Sequence, residues 1–211
     1  MFDDPNERMV AEQIEARGIR DPRVLDAFRS VRREWFVPEE LKREAWEDSP
    51  LPIGDGQTIS QPYIVAYMTE ALAVRPDDRV LEIGTGSVYQ TAILARLAGH
   101  VYTAEIVPPL AEKAQQLIGR LNLTNVTMRI GDALRVFADE APFDAILAAA
   151  APDQVPEELI AQMAEGGRAI LPVGGFSQSL LLLKKEKGAI LRQELIGVRF
   201  VPLTRESHLP K

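Results

Sequence analysis

A glycine-rich turn is the part of this sequence best suited to bind a ligand. It is the segment Glu82-Ile83-Gly84-Thr85-Gly86-Ser87, and it lies between an apolar run typical of a strand and an apolar run typical of a helix. A second acid, Glu105, follows roughly 20 residues later, at the end of the next apolar run. Glycines allow the backbone to approach a ligand closely, and such an acid can accept hydrogen bonds from ribose hydroxyls. The spacing therefore predicts a nucleoside site.

The sixth position of the turn distinguishes between ligand classes. A dinucleotide-binding motif has glycine at its first, third and sixth positions, whereas the sixth position here is Tyr89. A bulky side chain at that point would block a pyrophosphate. The shorter Glu-x-Gly-x-Gly pattern instead favours an adenosine that carries a sulfonium amino acid, namely S-adenosylmethionine. A dinucleotide and a purely structural turn are the alternatives.

Composition and charge limit the function classes. The chain has 211 residues and 46% hydrophobic content, which predicts one domain with a full core. A net charge of −7 argues against broad attraction to nucleic acid. No apolar run reaches the ~20 residues of a membrane helix, and Met1–Pro5 lacks the basic start of a signal peptide. We therefore expect no nucleic-acid partner and no membrane partner.

Cysteine and histidine usage argues against several chemistries. The chain has no cysteine, which excludes disulfides and thiol catalysis and fits the cytoplasmic location that we predict. The two histidines, His100 and His208, are far apart in sequence, so no metal site is expected. Short basic groups such as Arg32-Arg33 are interpreted as solvated helix ends. An acidic chain without obvious exposed apolar stretches is predicted to be a monomer.

The hydrophobic pattern predicts an α/β fold with a doubly wound, mostly parallel sheet. Within a single domain we predict a helical cap and active-site loop over residues 1–60, a cofactor-binding core over 61–175 and C-terminal antiparallel strands over 176–211. The predicted helices are Asn6–Arg17, Pro22–Val31, Pro38–Trp46, Pro62–Leu72, Tyr89–Leu97, Pro109–Leu121 and Pro156–Met163. The predicted strands are Val80–Ile83, Val101–Glu105, Asn125–Ile130, Phe143–Ala148, Arg168–Val173, Ser177–Lys184 and Leu191–Val201. Residues 50–62 are predicted to form a loop, which is long and polar enough to be functional.

Several motifs together resemble the protein-L-isoaspartate (D-aspartate) O-methyltransferase family over nearly the whole chain. They occur in the order typical of the family: the loop Gly56–Pro62, the turn Glu82–Ser87, the run Ala141–Ile146 and the segment Arg199–Leu203. The Thr-Ile-Ser sequence inside the loop is the most specific of them, because many methyltransferases share the glycine turn. The resemblance implies a Rossmann-like class I methyltransferase fold.

The same resemblance implies an activity. It is methyl transfer from S-adenosylmethionine to the free carboxylate of L-isoaspartyl residues in damaged proteins, the first step of their repair, with D-aspartyl residues as a further candidate. The implied partners are isoaspartyl-containing proteins and peptides. Two alternatives are a class I methyltransferase for another carboxylate and a non-enzymatic homologue with an impaired cofactor site.

The resemblance also implies roles for individual residues. Ser60 is implied as the catalytic residue, and Ser60 and Thr204 as substrate contacts. The implied cofactor contacts are Gln57, Thr58, Ile59, Gly84, Thr85, Gly86, Glu105, Asp132 and Ala133. Each polar position also has a structural interpretation: Ser60 or Gln61 could cap the helix that begins near Pro62, Glu105 could be a surface acid at a strand end, and Asp132 could cap a helix.

Val88 is the main departure from the family pattern, which has glycine at this position. Glycine readily adopts a positive φ, whereas a β-branched residue resists it. We predict that Val88 either faces away from the cofactor or weakens its binding. A smaller departure is Ala133, which replaces the usual glycine after Asp132.

Overall fold

The N-terminal region is helical but irregular. A computed structural model describes residues 4–205. Helix α1 (Pro5–Met9) continues into a π-helical turn (Val10–Ile14) and a 3₁₀ turn (Glu15–Arg17), which is capped by Gly18 with a φ of +103°. Helix α2 (Pro22–Ser30) begins at a proline and is capped by the Asp21 side chain. The helix predicted over Pro38–Trp46 is wrong, since that segment holds only a 3₁₀ turn at Glu39–Leu41 and irregular turns.

The segment predicted as a loop over residues 50–62 is a small hairpin. Strand β1 (Leu51–Gly54) pairs antiparallel with β2 (Gln57–Ile59) around a tip at Asp55-Gly56, where both residues have positive φ. Only alternate positions of β1 are buried, so one face of the strand packs on the core. The prolines and glycines of this segment are what suggested a loop. Helix α3 (Pro62–Leu72) follows directly, with the predicted bounds.

The remaining elements mostly alternate between strands and helices, as predicted, and end in three consecutive strands. These elements are β3 (Arg79–Ile83), α4 (Tyr89–Leu97), β4 (His100–Glu105), α5 (Pro108–Arg120), β5 (Val126–Ile130), α6 (Ala133–Val136), β6 (Phe143–Ala148), α7 (Glu157–Ala161), β7 (Met163–Val173), β8 (Gln178–Glu186) and β9 (Ala189–Val198). The short helix α6 between β5 and β6 was not predicted. Helix α7 is shorter than predicted, because β7 begins at Met163 rather than at Arg168.

One seven-stranded sheet forms the centre, with strand order β5-β4-β3-β6-β7-β8-β9. The first five strands in this order are parallel, and β8 and β9 add an antiparallel hairpin at one edge. From β3 the chain adds β4 and β5 on one side, and it then returns to add β6 and β7 on the other side. A crevice opens between β3 and β6 at the carboxyl ends of the strands. The predicted fold class is confirmed.

Both faces of the sheet are covered. Successive residues of β3 point to opposite sides, so that Val80 joins one buried cluster while Leu81 joins the other. The N-terminal helices are fixed to this core by polar contacts: the Arg23 guanidinium donates to the carbonyls of Val74 and Leu97 at 2.9 Å each. None of the helices in residues 4–205 is long and apolar enough to cross a membrane.

Candidate functional site

The crevice holds a cavity of about 660 Å³ at the carboxyl ends of β3, β4 and β5. Every residue that the sequence singled out for the site lines this one cavity. They are Gln57, Thr58, Ile59, Ser60, Gly84, Thr85, Gly86, Glu105, Asp132, Ala133 and Thr204. Residues that lie far apart in the sequence are brought together by the parallel sheet, because its strand ends meet at one edge.

The glycine turn is held against the neighbouring strand. The N–H groups of Gly84 and Thr85 both donate to the Ala104 carbonyl at 3.1 Å. Gly84 has a φ of +92°, which glycine adopts without strain. A β-carbon on Gly86 would lie 3.7 Å from Ile53 of the β1–β2 hairpin. The hairpin therefore packs directly on the turn and closes that side of the cavity.

Glu105 is anchored by the backbone around it. One carboxylate oxygen accepts from the Gly86 N–H at 2.8 Å and the other from the Val107 N–H at 2.9 Å. The side chain is only 5% exposed, so the interpretation as a solvated strand-end acid is wrong. Each oxygen has further acceptor capacity, which fits the prediction that Glu105 contacts ribose hydroxyls.

Asp132 caps a helix and also lines the cavity. One of its oxygens accepts from the Leu134 N–H at 3.1 Å, which starts α6, and the other accepts from Arg205 at 2.8 Å. Arg205 also pairs with Glu158 at 2.9 Å. The structural role of Asp132 is therefore real, and its place in the cavity is compatible with the predicted cofactor contact. No sequence pattern pointed to Arg205.

The Ser60 hydroxyl is not used as a helix cap. Gln61 is the N-terminal cap residue of α3 but makes no side-chain capping bond. The capping acceptor is instead Asp48, whose carboxylate accepts from the backbone N–H of Tyr63 at 3.2 Å and from the side-chain amide of Gln61 at 2.7 Å. Within residues 4–205 the Ser60 hydroxyl has no hydrogen-bond partner, and Ser60 lines the cavity. The hydroxyl is therefore available to a ligand.

Arg33 fixes the backbone of Ser60, and its interpretation as a solvated helix end is wrong. The side chain is 0% exposed. Its guanidinium donates to the carbonyls of Ala45 at 2.6 Å, Ser49 at 2.9 Å and Ser60 at 3.0 Å. Burial lowers the pKa of Arg33 to about 10, so it stays charged at neutral pH. Arg33 thus joins the helical region to the loop that carries Ser60.

Glu82 supports the glycine turn from beneath. It is 0% exposed, and one of its oxygens accepts from the hydroxyls of Thr91 and Thr103 at 2.6 Å each. The Thr103 hydroxyl also lies 2.7 Å from that of Thr85 in the turn. Burial, the larger effect, raises the pKa of Glu82 to about 7 against the opposing effect of the two hydroxyl donors. Because Glu82 does not line the cavity, its contact with the site is indirect, through the hydroxyls of Thr103 and Thr85.

Val88 faces away from the cavity. It has a φ of +72°, the left-handed conformation that valine resists, and its side chain is 0% exposed within the hydrophobic core. It is not among the residues that line the cavity. Of the two predicted outcomes for Val88, the structure shows the first. The following residue, Tyr89, packs its ring edge-on against Phe28 of α2.

The C-terminal segment reaches the cavity by pairing with the loop after β6. The Ala151 N–H donates to the Val201 carbonyl and the Leu203 N–H to the Ala151 carbonyl, both at 2.8 Å. This pairing brings Thr204 to the cavity wall, as the sequence suggested. Gln178 adds a second clamp, since its amide accepts from the Phe200 N–H at 2.6 Å and donates to the Phe200 carbonyl at 3.1 Å.

No group of three or more histidine, cysteine, aspartate or glutamate side chains is arranged to hold a metal ion within residues 4–205. His100 is half-buried and its ring lies 2.8 Å from the Thr127 hydroxyl. His208 lies outside the described residues.

Comparisons with known proteins show the family. Residues 4–208 match the family model described as protein-L-isoaspartate(D-aspartate) O-methyltransferase. The chain is 54% identical over 199 residues to a protein-L-isoaspartate O-methyltransferase of Myxococcus xanthus, covering 92% of this chain and 94% of that protein. A relative of the same name from Anaeromyxobacter dehalogenans is 54% identical over 207 residues, covering 96% and 98%.

Solved structures give the same result. The crystal structure of a Plasmodium falciparum protein described as a protein-L-isoaspartate O-methyltransferase, in complex with S-adenosyl-L-homocysteine, superposes with a TM-score of 0.86 at 26% identity. The match covers 97% of this chain and 100% of that chain. A second structure of a protein-L-isoaspartate O-methyltransferase superposes with a TM-score of 0.87 at 27% identity, covering 96% of this chain and 67% of that one.

Proposed function

The chain belongs to the protein-L-isoaspartate(D-aspartate) O-methyltransferase family, and from that premise we propose that it methylates the free carboxylate of L-isoaspartyl residues in damaged proteins. S-adenosylmethionine is the methyl donor. One observation carries the proposal: the Ser60 hydroxyl, without a partner in residues 4–205, lies in the same cavity as the glycine turn and Glu105. The acceptor and the donor can therefore meet there.

The residues of the cavity fit S-adenosylmethionine. The cavity volume of about 660 Å³ lies in the usual range of small-molecule sites. Gly84 and Gly86 leave the floor of the turn without side chains, and the anchored Glu105 can accept from the ribose. Ile106 and Ala133 add apolar wall beside Asp132, which suits the flat adenine ring. When bound, the cofactor supplies an electrophilic methyl group on a positively charged sulfur.

The protein's part in the reaction is to position the acceptor and exclude water. A carboxylate with a reference pKa near ~4 is already an anion at pH 7, so no general base is required. An oxygen–carbon bond forms while the carbon–sulfur bond breaks, and its electron pair stays on sulfur. We propose that Ser60 donates one hydrogen bond that orients the carboxylate. Positioning of this kind can contribute on the order of 7–11 kcal/mol to lowering the barrier.

We also propose further ligand contacts, the cellular location and the assembly state of the protein. We propose that Gln57, Thr58 and Ile59 contact the cofactor from the hairpin side and that Thr204 contacts the substrate. We further propose a cytoplasmic monomer without nucleic-acid or membrane partners, built as one domain with the three parts delimited in the sequence. The net charge of −7 and the absence of cysteine are compatible with this setting.

Transfer of a labelled methyl group tests the activity. We expect labelling of a peptide with one isoaspartyl residue and none of its normal aspartyl twin. Ser60→Ala should lower kcat about 100-fold, the usual cost of one positioned donor, and leave the affinity for S-adenosylmethionine unchanged. Ser49→Ala is the matched control, because only the backbone of Ser49 makes a contact that the site requires. If both peptides stay unlabelled while the cofactor binds, the substrate is another carboxylate and the proposal is wrong.

A further inference from the structure

The cavity has two halves that differ in charge. We call the residues at the ends of β3, β4 and β5 the cofactor half; its charged members are Glu105 and Asp132. We call residues 176–178 and 197–204 the acceptor half; its one charged member is Arg199. Asp132 is paired with Arg205, so Glu105 supplies the negative charge that suits a cationic sulfonium amino acid, whereas a cation suits an anionic acceptor. The acceptor half is therefore where a peptide with a free isoaspartyl carboxylate would approach.

Phe176 stands at the rim of the acceptor half with its ring in solvent. Its relative exposure is 106%, the highest of the large hydrophobic residues in the described chain. A single exposed apolar residue is ordinary on a protein surface, but this one also lines the ligand cavity. Its whole ring is available to a partner that enters there.

The loop that carries Phe176 is a tightly built turn. Gly174 has a φ of +124°, and a β-carbon there would lie 2.2 Å from the Ser177 carbonyl, so only glycine fits. The Gly174 N–H donates to the Pro152 carbonyl at 2.9 Å, which ties the loop to the segment after β6. The loop therefore holds Phe176 outward by its backbone geometry.

Gln178 joins this loop to the segment that carries Arg199. Its amide makes two hydrogen bonds to the backbone of Phe200, and Gln178 as a whole is only 9% exposed. Within residues 4–205 Arg199 makes no salt bridge, and its side chain is exposed. Asp153 lies beside the loop at Gly175 but does not line the cavity. Phe176 and Arg199 are thus placed on two linked segments of one rim.

We propose that Phe176 and Arg199 read the residues that flank the isoaspartyl residue in the substrate. Phe176 contacts a large apolar side chain, and Arg199 pairs with an acidic one. The occupant is an extended peptide segment of the damaged protein. This inference rests on the proposed function, and it adds a preference among isoaspartyl sequences.

A peptide panel tests the preference. The probes are isoaspartyl peptides of one length in which the neighbours on either side are glycine, leucine, glutamate or lysine. Wild-type kcat/KM should be highest for leucine and glutamate neighbours. Phe176→Ser should lower kcat/KM for the leucine peptides about fivefold, through KM, and leave the glycine peptides unchanged. Arg199→Gln should remove a roughly twofold advantage of glutamate over lysine, which 0.5 M salt should also remove in the wild type.

Matched control variants separate this effect from general changes. Leu191→Ser and Arg192→Gln alter an exposed apolar residue and an exposed cation on β9, outside the cavity. Neither should change the order of the peptides. If wild type and Phe176→Ser give the same ratios across the panel, the inference is overturned while the proposed function stands. If the wild type labels no isoaspartyl peptide at all, the proposed function itself has failed.

Discussion

The cofactor half and the acceptor half of the cavity are built in different ways. In the cofactor half, turns at the strand ends carry the functional residues, and backbone groups next to them hold them in place, as the N–H groups of Gly86 and Val107 hold Glu105. Ser60 depends on side chains that come from elsewhere in the chain, namely Arg33 and Asp48, and the two segments of the acceptor half are joined by the Gln178 side chain. The first kind of site follows from the pairing of neighbouring strands, and the second depends on side chains that the packing of other elements brings to it.

The largest expected effect is that of Arg33→Met. The change leaves several buried carbonyls without a donor, so we expect a loss of about 4 kcal/mol in the free energy of unfolding. In protein that remains folded at low temperature, kcat should fall while the affinity for S-adenosylmethionine persists. Urea unfolding and calorimetric titration measure the two quantities. Arg32→Met is the control, because that neighbour is partly exposed and forms surface pairs worth under ~1 kcal/mol. Equal losses in both variants would refute the role given to Arg33.

Glu105→Gln should weaken cofactor binding in the cofactor half. The amide keeps its shape but loses charge-assisted bonds to two backbone N–H groups and to the ribose. We expect roughly 10- to 100-fold weaker binding of S-adenosylmethionine, measured by titration. Glu112→Gln, an exposed acid on α5, should leave the affinity unchanged. Unaltered binding in Glu105→Gln would mean that this carboxylate serves the turn alone.

Glu82→Gln should change the pH dependence of stability. Because the pKa of Glu82 is raised to about 7 in the folded protein from 4.5, the folded state binds more protons than the unfolded state between these values. The contribution of Glu82 to stability is therefore complete below pH 4.5 and is lost as the pH rises through 7. The stability of the wild type relative to Glu82→Gln should fall by on the order of 3 kcal/mol from pH 4 to pH 8. Unfolding by urea at several pH values measures it, and Glu186→Gln, an exposed acid, should show no such trend.

The smallest expected effect concerns Val88. Val88→Gly relieves the strain of a positive φ, ~1–2 kcal/mol, but removes a buried side chain of similar worth, so stability should change by about 1 kcal/mol or less. Val88→Ala loses packing without relieving the strain and should be less stable than Val88→Gly by about 1 kcal/mol. Both variants should bind S-adenosylmethionine as the wild type does, since Val88 does not line the cavity. A clear gain in affinity for Val88→Gly would show that the side chain restricts the site.

Sequence patterns predicted the sheet well and singled out residues that line the cofactor half, for a physical reason. Parallel strands buried on both faces are continuous apolar runs, and the ligand-binding turns directly follow them. The antiparallel strands of the C-terminal region were also predicted, with β8 and β9 shifted by a few residues. Residues 50–62 were misjudged because a hairpin with one buried face can carry prolines on its exposed face.

The supporting residues could not be predicted in the same way. Arg33 has the same charge and local neighbours as Arg32, yet one is buried and the other partly exposed. What distinguishes them is the set of carbonyls 12 to 27 residues away, which only the tertiary structure brings together. Asp48 and Arg205 present the same difficulty. The sequence marked Val88 as unusual, but whether its side chain points into the cavity or into the hydrophobic core could be seen only in the folded structure.

The β8–β9 hairpin offers a practical use. Its turn, Lys187-Gly188, has positive φ at both residues, and both are exposed. Strand β8 extends from Gln178 at the cavity to Glu186, so the turn lies roughly 25 Å from the rim at the usual rise per residue. A fluorophore or an affinity handle attached at this turn should report on the enzyme or immobilise it while leaving substrate access open.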